Sequence, residues 1–402
     1  MSQTCTAVVS INQDSCSRCS ICHSICPFEA IKRDLETGKV EIDLQKCQVC
    51  GICYSACPAF AIEMVYYNYD SLVDYLKTMR KTCSSDTLVL MCRGNSPSTC
   101  EVQEILRDNG LRVSRYIPLR VPCCGRVPTE FVFSALKAGI KKVISIQCED
   151  TFCRFKEGTR ISTRRMLLSQ AVLEKLGLGR DAVMVLKYSR KAVYDTEKCV
   201  GCDKCVFVCP YNAIEAEDFA TPIVLSDKCM GCGACALVCP HSAIQIKGFE
   251  FEEIFKRYAE SARKLRKVGD SPVILVFSCQ WSEFSFLDDP RNSRFKNSLV
   301  LEVPCFKALD PVHVVNAFRN GFDGVFAVVC SNDDCKIPEG RDTAERNMTV
   351  LRDALEKMGL FDRFELCTSS PRSPGEFNEK FEEFIRRIAS LPPLQMELKN
   401  SA

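Results

Sequence analysis

Four cysteine-rich runs with one shared spacing constrain this chain more than any other feature of its sequence. Each run reads C-x2-C-x2-C-x3-C-P, so a proline follows the fourth cysteine every time. The runs are Cys16, Cys19, Cys22 and Cys26; Cys47, Cys50, Cys53 and Cys57; Cys199, Cys202, Cys205 and Cys209; and Cys229, Cys232, Cys235 and Cys239. Three closely spaced thiolates can bind one iron–sulfur cluster, and the fourth, placed before a proline that turns the chain, can reach a neighbouring cluster.

The spacing matches that of bacterial ferredoxins with two clusters. We therefore predict two ferredoxin modules with four 4Fe–4S clusters, in which the two runs of a module exchange their fourth cysteines. The predicted ligand sets are Cys16, Cys19, Cys22 with Cys57; Cys47, Cys50, Cys53 with Cys26; Cys199, Cys202, Cys205 with Cys239; and Cys229, Cys232, Cys235 with Cys209. Structural zinc is the alternative, because C-x2-C pairs also bind zinc, often together with histidine. We expect no zinc, since every run has four cysteines and the chain contains only three histidines.

The composition narrows the class of protein. The chain has 402 residues, and its 29 cysteines exceed what a chain of this length needs for disulfides. Lys and Arg number 53 against 51 for Asp and Glu, which gives no reason to expect nucleic-acid binding. No apolar run is long enough to span a membrane, and no secretory signal is visible near the first residues. We therefore expect a cytoplasmic protein with reduced thiols that bind metal.

A second set of cysteines reveals an internal duplication. Cys92, Cys123, Cys148 and Cys153 recur as Cys279, Cys305, Cys330 and Cys335, at intervals of 182 to 187 residues. The ferredoxin runs repeat at 183 residues, so the whole chain is a tandem duplication of a ferredoxin module and a second module. Five cysteines are unmatched, and small buried side chains are their default interpretation: Cys5, Cys83, Cys100, Cys124 and Cys367. Cys124 is the exception, because it adjoins Cys123 and could replace it as a ligand.

The second module alternates strand and helix patterns, which predicts a small open parallel α/β sheet with right-handed crossovers. In the second copy, we predict strands at 271–279, 299–305, 323–330 and 364–370, and helices at 311–321, 345–359 and 376–391. In the first copy, we predict strands at 86–92, 113–123, 141–148 and 182–188, and helices at 128–139 and 163–177. Apolar-faced helices at 71–81 and 251–269 are interpreted as packing helices, with partner docking as the alternative.

These patterns define the predicted architecture. The fold class is α/β plus α+β, with the ferredoxin module and the parallel α/β domain each present twice. The predicted domains are a ferredoxin module at 1–70, an α/β domain at 71–190, a second ferredoxin module at 191–250, and a linker helix with the second α/β domain at 251–402.

The repeated cysteines fall where open α/β sheets bind ligands. Cys279, Cys305 and Cys330 are each predicted to end a strand, and Cys335 follows in the next loop. The carboxyl ends of parallel strands lie at one edge of the sheet, so these thiols should converge there. Four thiolates from three strands suit a 2Fe–2S cluster, and the duplication extends the prediction to the first copy. Buried structural cysteines and zinc are the alternatives.

The second copy also resembles a known family over residues 271–395, most clearly in VFSCQW and EVPCFKALDPVHVVNAFRNGFDGVFAVVCSNDDCKIPEGR. The family is the delta subunit of methyl-viologen-reducing hydrogenase, and RVPCCGRVPTEF and KKVISIQCEDTFCRFKEG extend the resemblance to the first copy. The resemblance implies 2Fe–2S ligands at Cys279, Cys305, Cys330 and Cys335, and by repetition at Cys92, Cys123, Cys148 and Cys153. One departure is that Ser282 follows Trp281 where the family typically has a cysteine; Arg93-Gly94 stands there in the first copy.

The family resemblance implies a function in electron transfer. Members of that family transfer electrons from a hydrogenase or formate dehydrogenase to a heterodisulfide-reductase-A-like flavoprotein, which bifurcates them. We therefore predict an electron-transfer subunit of an anaerobic oxidoreductase complex, with no substrate site of its own; a tungsten-dependent benzoyl-CoA reductase is a further possible partner. One alternative is an enzyme that acts on a small disulfide or sulfur substrate. Another is an assembly scaffold whose α/β domains hold no metal.

Overall fold

The chain divides into two units that have the same internal order. The computed structural model describes residues 8–95, 97, 99–216, 220–267, 272–282, 297–373, 376–392 and 394. One unit ends at Ser189 and the other begins at Arg190. Each unit has a small cysteine-rich module followed by a domain with a four-stranded parallel sheet. The predicted fold class and tandem duplication are confirmed, whereas the boundaries of the four predicted domains stay a prediction.

The cysteine-rich module of the first unit consists of two short antiparallel strand pairs and two five-residue helices. Its elements are β1 (Val9–Ile11), α1 (Ile21–Ile25), β2 (Ile31–Arg33), β3 (Val40–Ile42), α2 (Ile52–Ala56) and β4 (Ile62–Met64). Strand β1 pairs with β4, and β2 pairs with β3. Both helices end at the fourth cysteine of a run, where Cys26 and Cys57 adopt extended backbone. The following proline disfavours helical backbone at these cysteines, which explains why the helices are so short.

The second unit repeats this module. Its elements are β9 (Ala192–Tyr194), α7 (Lys204–Val208), β10 (Ile214–Glu215), β11 (Ile223–Val224), α8 (Ala234–Val238) and β12 (Ile244–Ile246). Strand β9 pairs with β12 and β10 with β11, in both cases antiparallel. Cys209 and Cys239 end their helices in extended backbone, as the corresponding cysteines of the first unit do.

The α/β domain of the first unit has a parallel sheet with the strand order β6-β5-β7-β8. Its elements are α3 (Tyr69–Cys83), β5 (Thr87–Cys92), α4 (Thr99–Asp108), β6 (Ile117–Val121), α5 (Thr129–Lys137), β7 (Lys142–Cys148), α6 (Gly158–Lys175) and β8 (Val183–Tyr188). The central strand β5 is buried along its whole length, as expected for a strand covered on both faces. Helix α4 was not predicted from the sequence.

The α/β domain of the second unit has the equivalent order β14-β13-β15-β16, again parallel. Its elements are α9 (Phe251–Arg266), β13 (Ile274–Cys279), β14 (Ser298–Val303), α10 (Pro311–Arg319), β15 (Gly324–Cys330), α11 (Gly340–Lys357), β16 (Phe364–Ser369) and α12 (Glu376–Ser390). Helices α6 and α11 begin about five residues before their predicted starts, because their first turns are polar and lack an apolar period. The last residues of the predicted helix 251–269 lie outside the described residues.

The strands place most of the repeated cysteines where the sequence predicts them. Cys279 and Cys330 end their strands, and so do their first-unit counterparts. The prediction was wrong for Cys305, which follows β14 by two residues; Cys123 follows β6 in the same way. A proline precedes each of these two cysteines and has no N–H to continue a ladder, so the strand ends earlier.

Helices α3 and α9 each pack on the sheet of their own unit, as predicted from their apolar faces. Leu72 and Leu76 of α3 are buried in the core that includes β5 and β6. In α9, the Phe255 ring meets Phe277 of β13 edge-on, with ring centres 6.3 Å apart. Among the helices of the described residues, none is both long and apolar enough to cross a membrane.

Candidate cluster-binding sites

In the first unit, the cysteine-rich module encloses two cavities of similar size. One, of about 330 Å³, is lined by Cys16, Cys19, Cys22 and Cys57. The other, of about 390 Å³, is lined by Cys26, Cys47, Cys50 and Cys53. The folded chain thus brings together the same two sets of four thiols that the spacing predicts, including the exchange of the fourth cysteines. We call the second set the inner cage, because it lies beside the α/β domain.

The second unit has the same two groups. A cavity of about 320 Å³ is lined by Cys199, Cys202, Cys205 and Cys239. The Tyr194 hydroxyl and the Cys205 sulfur share a hydrogen bond at 3.0 Å. The inner cage of this unit consists of Cys209, Cys229, Cys232 and Cys235. Burial raises the pKa of the Cys235 thiol, and the charges of the other three cysteines of this cage raise it further, which shows their proximity.

Burial raises the pKa of two thiols in each inner cage, namely Cys50, Cys53, Cys232 and Cys235. Burial raises the pKa of Cys50 to about 12, with a further contribution from Cys47 and Cys26. Such thiols become thiolates when a cation replaces their protons, and iron supplies that positive charge. The donor set therefore fits an iron–sulfur cluster better than it fits a set of ionised free thiols.

Backbone N–H groups point at the cysteine sulfurs in a repeated way. The fourth cysteine of three runs accepts a hydrogen bond from the residue four positions later: Ala61 N to Cys57 Sγ at 3.3 Å, Ala213 N to Cys209 Sγ at 3.3 Å, and Ala243 N to Cys239 Sγ at 3.2 Å. Donors of this kind stabilise negative charge on a cluster ligand and influence its reduction potential.

The α/β domain of the first unit gathers a further group of thiols at the carboxyl edge of its sheet. The Cys92 sulfur accepts hydrogen bonds from Cys123, Cys124 and Cys148, and these bonds lower its pKa. Burial raises the pKa of Cys153 to about 11, and the charge of Cys92 adds to this effect. The four predicted cysteines therefore lie together; we call them the rim cage of the unit.

The second unit has an equivalent rim cage formed by Cys279, Cys305, Cys330 and Cys335. A hydrogen bond with Cys279 raises the pKa of Cys330, and a hydrogen bond with Cys330 raises that of Cys335. Burial, followed by the charges of Cys335 and Cys330, raises the pKa of Cys305. Each rim thus assembles cysteines from the ends of two neighbouring strands, from the turn after a third strand and from the loop after the last strand in the chain.

The structure distinguishes Cys123 from Cys124. Cys123 accepts a hydrogen bond from Gly125 N at 3.3 Å, and Cys305 accepts the equivalent bond from Lys307 N at 3.4 Å. Cys124 instead lies against β7, with its sulfur 3.9 Å from the Ile146 carbonyl oxygen. The position that follows Cys305 is Phe306, so the second unit has no cysteine there. Cys123 is therefore the structural counterpart of Cys305.

Two other unmatched cysteines, Cys83 and Cys367, lie away from the cages. Cys367 is fully buried in the core beneath α12, as its default interpretation expects. Cys83 is half-buried at the end of α3. Cys5 and the side chain of Cys100 lie outside the described residues.

Two glycines that the sequence reasoning missed hold helices α6 and α11 against the rim cages. A Cβ atom at Gly158 would lie 2.3 Å from Cys123 Sγ and 3.5 Å from Cys153 Sγ. A Cβ atom at Gly340 would lie 2.9 Å from Cys335 Sγ and 3.1 Å from Cys305 Sγ. The signal was present in the sequence, because each glycine follows the last rim cysteine by five residues.

The close approach of these helices directs their N-terminal N–H groups at the thiols. Backbone hydrogen bonds from Thr159 and Gly158 favour the thiolate form of Cys153, and one from Arg341 favours that of Cys335. The positive end of a helix also stabilises nearby negative charge. A cluster with four thiolates is anionic, so both helices are placed to stabilise one.

In each unit, the inner cage and the rim cage are neighbours. In the first unit, the Ser55 hydroxyl of α2 donates a hydrogen bond to the Gly125 carbonyl oxygen, in the turn after Cys123, at 2.9 Å. In the second unit, a Cβ atom at Gly233 would lie 2.3 Å from Ala308 Cβ, in the turn after Cys305. Cys232 and Cys305 also belong to one buried cluster with Ala234 and Ile337. This adjacency joins cysteines from two modules that the sequence analysis treats separately.

Among the described residues, no three or more Cys, His, Asp or Glu side chains are grouped as ligands of a single metal ion would be. Thiolates around a 4Fe–4S cluster lie further apart, because each binds a different iron atom.

Comparisons with known proteins agree with this organisation. Residues 88–200 and 274–392, more than half of the chain, match the family described as methyl-viologen-reducing hydrogenase, delta subunit. Residues 8–58 and 184–246 match 4Fe–4S dicluster domains. The chain therefore contains two iron–sulfur dicluster domains.

Individual relatives fall into two groups. The A subunit of the ferredoxin:CoB-CoM heterodisulfide reductase of Methanosarcina mazei is 33% identical over 210 residues, which cover 51% of this chain and 26% of that protein. The chain thus spans about a quarter of the length of this relative. The iron-sulfur D subunit of the F420-non-reducing hydrogenase of Archaeoglobus profundus is 30% identical over 130 residues, covering 31% of this chain and 95% of that protein. With its matching domain present twice and a 4Fe–4S dicluster domain before each copy, this chain belongs to the methyl-viologen-reducing hydrogenase delta subunit family.

Proposed function

We propose that this chain is an electron-transfer subunit of an anaerobic, cytoplasmic oxidoreductase complex, with four 4Fe–4S and two 2Fe–2S clusters. The observation that carries the proposal is the adjacency of the inner cage and the rim cage in each unit. When bound, such clusters accept and release single electrons. The six cages supply 24 cysteine ligands, namely those of the four ferredoxin runs and the two rims.

The exposure of the cysteines suggests where electrons enter and leave. Cys19 and Cys202 are exposed members of their cages, whereas Cys50, Cys232 and Cys305 are buried. A partner can therefore approach the cages of Cys19 and Cys202 from solvent. The inner and rim cages contain buried cysteines and are positioned to pass electrons within the unit.

The relatives suggest the partners. Their names assign them to a heterodisulfide reductase and to a hydrogenase. We propose that the chain passes electrons between a metal-containing enzyme and a heterodisulfide-reductase-A-like flavoprotein, which bifurcates them. The metal-containing enzyme would be of the hydrogenase, formate dehydrogenase or tungsten-dependent benzoyl-CoA reductase type.

Cys124 does not support the alternative of an enzyme that acts on a small disulfide or sulfur substrate. Such an enzyme needs an accessible thiol with a low pKa. Cys124 is only 2% exposed, and hydrogen bonding with Cys92 together with burial raises its pKa.

Metal analysis of the full chain, purified without oxygen, tests the proposal. Six loaded cages hold about 20 iron atoms, and a reductive titration should consume about six electrons per chain. About 16 iron atoms would favour the scaffold alternative with metal-free α/β domains. Cys305→Ser should remove about two iron atoms, whereas the control Cys83→Ser, outside every cage, should remove none. A colourless protein, or one that contains zinc in place of iron, would refute the proposal.

A further inference from the structure

A buried positive charge lies between the inner cage and the rim cage of the first unit. Arg126, on the turn that follows Cys123, is fully buried. A Cβ atom at Gly51, between Cys50 and Cys53 of the inner cage, would lie 2.7 Å from Arg126 Cβ and 2.9 Å from its Nε. The guanidinium therefore stands at the junction of the two cages.

The surroundings of Arg126 leave its charge poorly compensated. Its Nη2 donates a hydrogen bond to the Tyr66 carbonyl oxygen at 2.7 Å and lies 3.5 Å from Met64 Sδ. Its Nε and Nη1 have no hydrogen-bond partner within the part of the chain that the structure describes. The guanidinium carbon lies 5.2 Å from the centre of the Tyr67 ring. Burial lowers the pKa of Arg126, and the groups that oppose this effect include Tyr67 and the thiols of Cys50 and Cys123. A buried cation without an anion is costly, so this site fits a negative group in the adjoining cages.

The second unit places a cation at the same junction by a different residue. Gly233 follows Cys232 as Gly51 follows Cys50. A Cβ atom at Gly233 would lie 2.3 Å from Ala308 Cβ, so Ala308 is the counterpart of Arg126. The preceding residue, Lys307, is 5% exposed. Burial raises the pKa of Cys232 in the inner cage, and the charge of Lys307 opposes this effect. Its Nζ lies 3.7 Å from Glu339, a largely exposed carboxylate. The two units share the position of the charge, although they differ in the side chain that provides it.

We propose that Arg126 and Lys307 tune the reduction potentials of the clusters on either side of each junction. The inference rests on the proposed function, because it requires both cages to hold clusters. Reduction adds negative charge to a cluster, and a fixed buried cation stabilises that charge strongly where water is absent. Each residue therefore raises the potentials of the two neighbouring clusters and makes the junction a favourable place for the electron.

The test is a redox titration of the loaded full-length chain, followed by electron paramagnetic resonance. Arg126→Met should shift the reduction equilibrium of the first-unit clusters at least tenfold toward the oxidised form, which is 59 mV or more for a one-electron step. Arg126→Lys, which keeps the charge, should leave the potentials of these clusters close to those of the wild-type chain. Lys307→Met should do the same in the second unit, with a smaller effect because Glu339 already neutralises part of its charge. Arg164→Met, an exposed arginine of the same unit, is the control and should change nothing.

Several results would overturn the proposal. Wild-type potentials in a fully loaded Arg126→Met or Lys307→Met chain would show that the cation does not tune the clusters. Loss of iron from both neutral variants would show that the charges serve assembly rather than potential. Failure of the proposed function is distinguishable, because the wild-type chain itself would then lack the iron of the rim cages.

Discussion

The start of helix α6 provides a sharp test of the rim cage. Helix propensity alone predicts that Gly158→Ala stabilises the chain, because glycine within a helix costs about 0.5–1 kcal/mol relative to alanine. The geometry predicts the opposite effect on the metal site. The added Cβ would lie 2.3 Å from Cys123 Sγ, whereas ordinary contacts of a Cβ begin at 3.4 Å. The sulfur must therefore move by about 1 Å, five times the tolerance of about 0.2 Å for ligand positions.

We expect Gly158→Ala to lose the first-unit rim cluster and no other. Iron should fall from about 20 to about 18 atoms per chain, and the 2Fe–2S resonance signal of the reduced protein should fall by about half. Gly340→Ala should have a weaker effect, because its Cβ would lie 2.9 Å and 3.1 Å from the nearest sulfurs. Arg164→Ala, on the exposed face of α6, is the matched control.

The result that would refute this reasoning is a Gly158→Ala chain with full iron and an unchanged resonance spectrum. Cys123 would then not be a ligand, and the close approach of α6 to the sulfurs would have only a packing role. Loss of iron in the control as well would instead indicate general damage to the domain.

Two further predictions concern single side chains. Cys123→Ala should remove about two iron atoms per chain, whereas Cys124→Ala should keep them; the reverse outcome in iron and sulfide analysis would identify Cys124 as the ligand. Burial lowers the pKa of His313 from 6.5 to about 4. As the pH drops from about 6.5 toward 4, the imidazole is protonated in the unfolded chain before it is protonated in the folded chain, so the free energy of unfolding falls. Between pH 7.5 and pH 5, this effect lowers the free energy of unfolding by about 2 kcal/mol. His313→Gln, which can keep the capping interaction with Asp310, should show a smaller drop in thermal midpoint over this range, measured by circular dichroism. Equal drops in both proteins would contradict the assignment.

Much of the fold could be predicted because its signals are local. The buried strands β5, β13 and β15 are largely continuous apolar runs. The cysteine runs predict the ferredoxin modules through their spacing and the proline that follows. The starts of α6 and α11 could not be predicted from periodicity. Their first turns are polar, and contact with the rim thiols determines where they begin.

The choice between Cys123 and Cys124 was also beyond sequence reasoning. The two thiols are adjacent in the chain and both lie beside Cys92, and only the turn after β6 gives Cys123 its hydrogen bond from Gly125 N. Cys123 corresponds to Cys305, because Cys305 accepts the same bond from the residue two positions later, Lys307.

By itself, the sequence determined the kind of ligand, the grouping of cysteines within each run and the duplication, because these depend on residues close together along the backbone or on exact repetition. Only the tertiary structure decided that the inner cage lies beside the rim cage and that Arg126 or Lys307 lies between them. Cys50 and Cys123 are far apart in the chain, and packing between two modules brings them together. Residue spacing within either module carries no information about that packing.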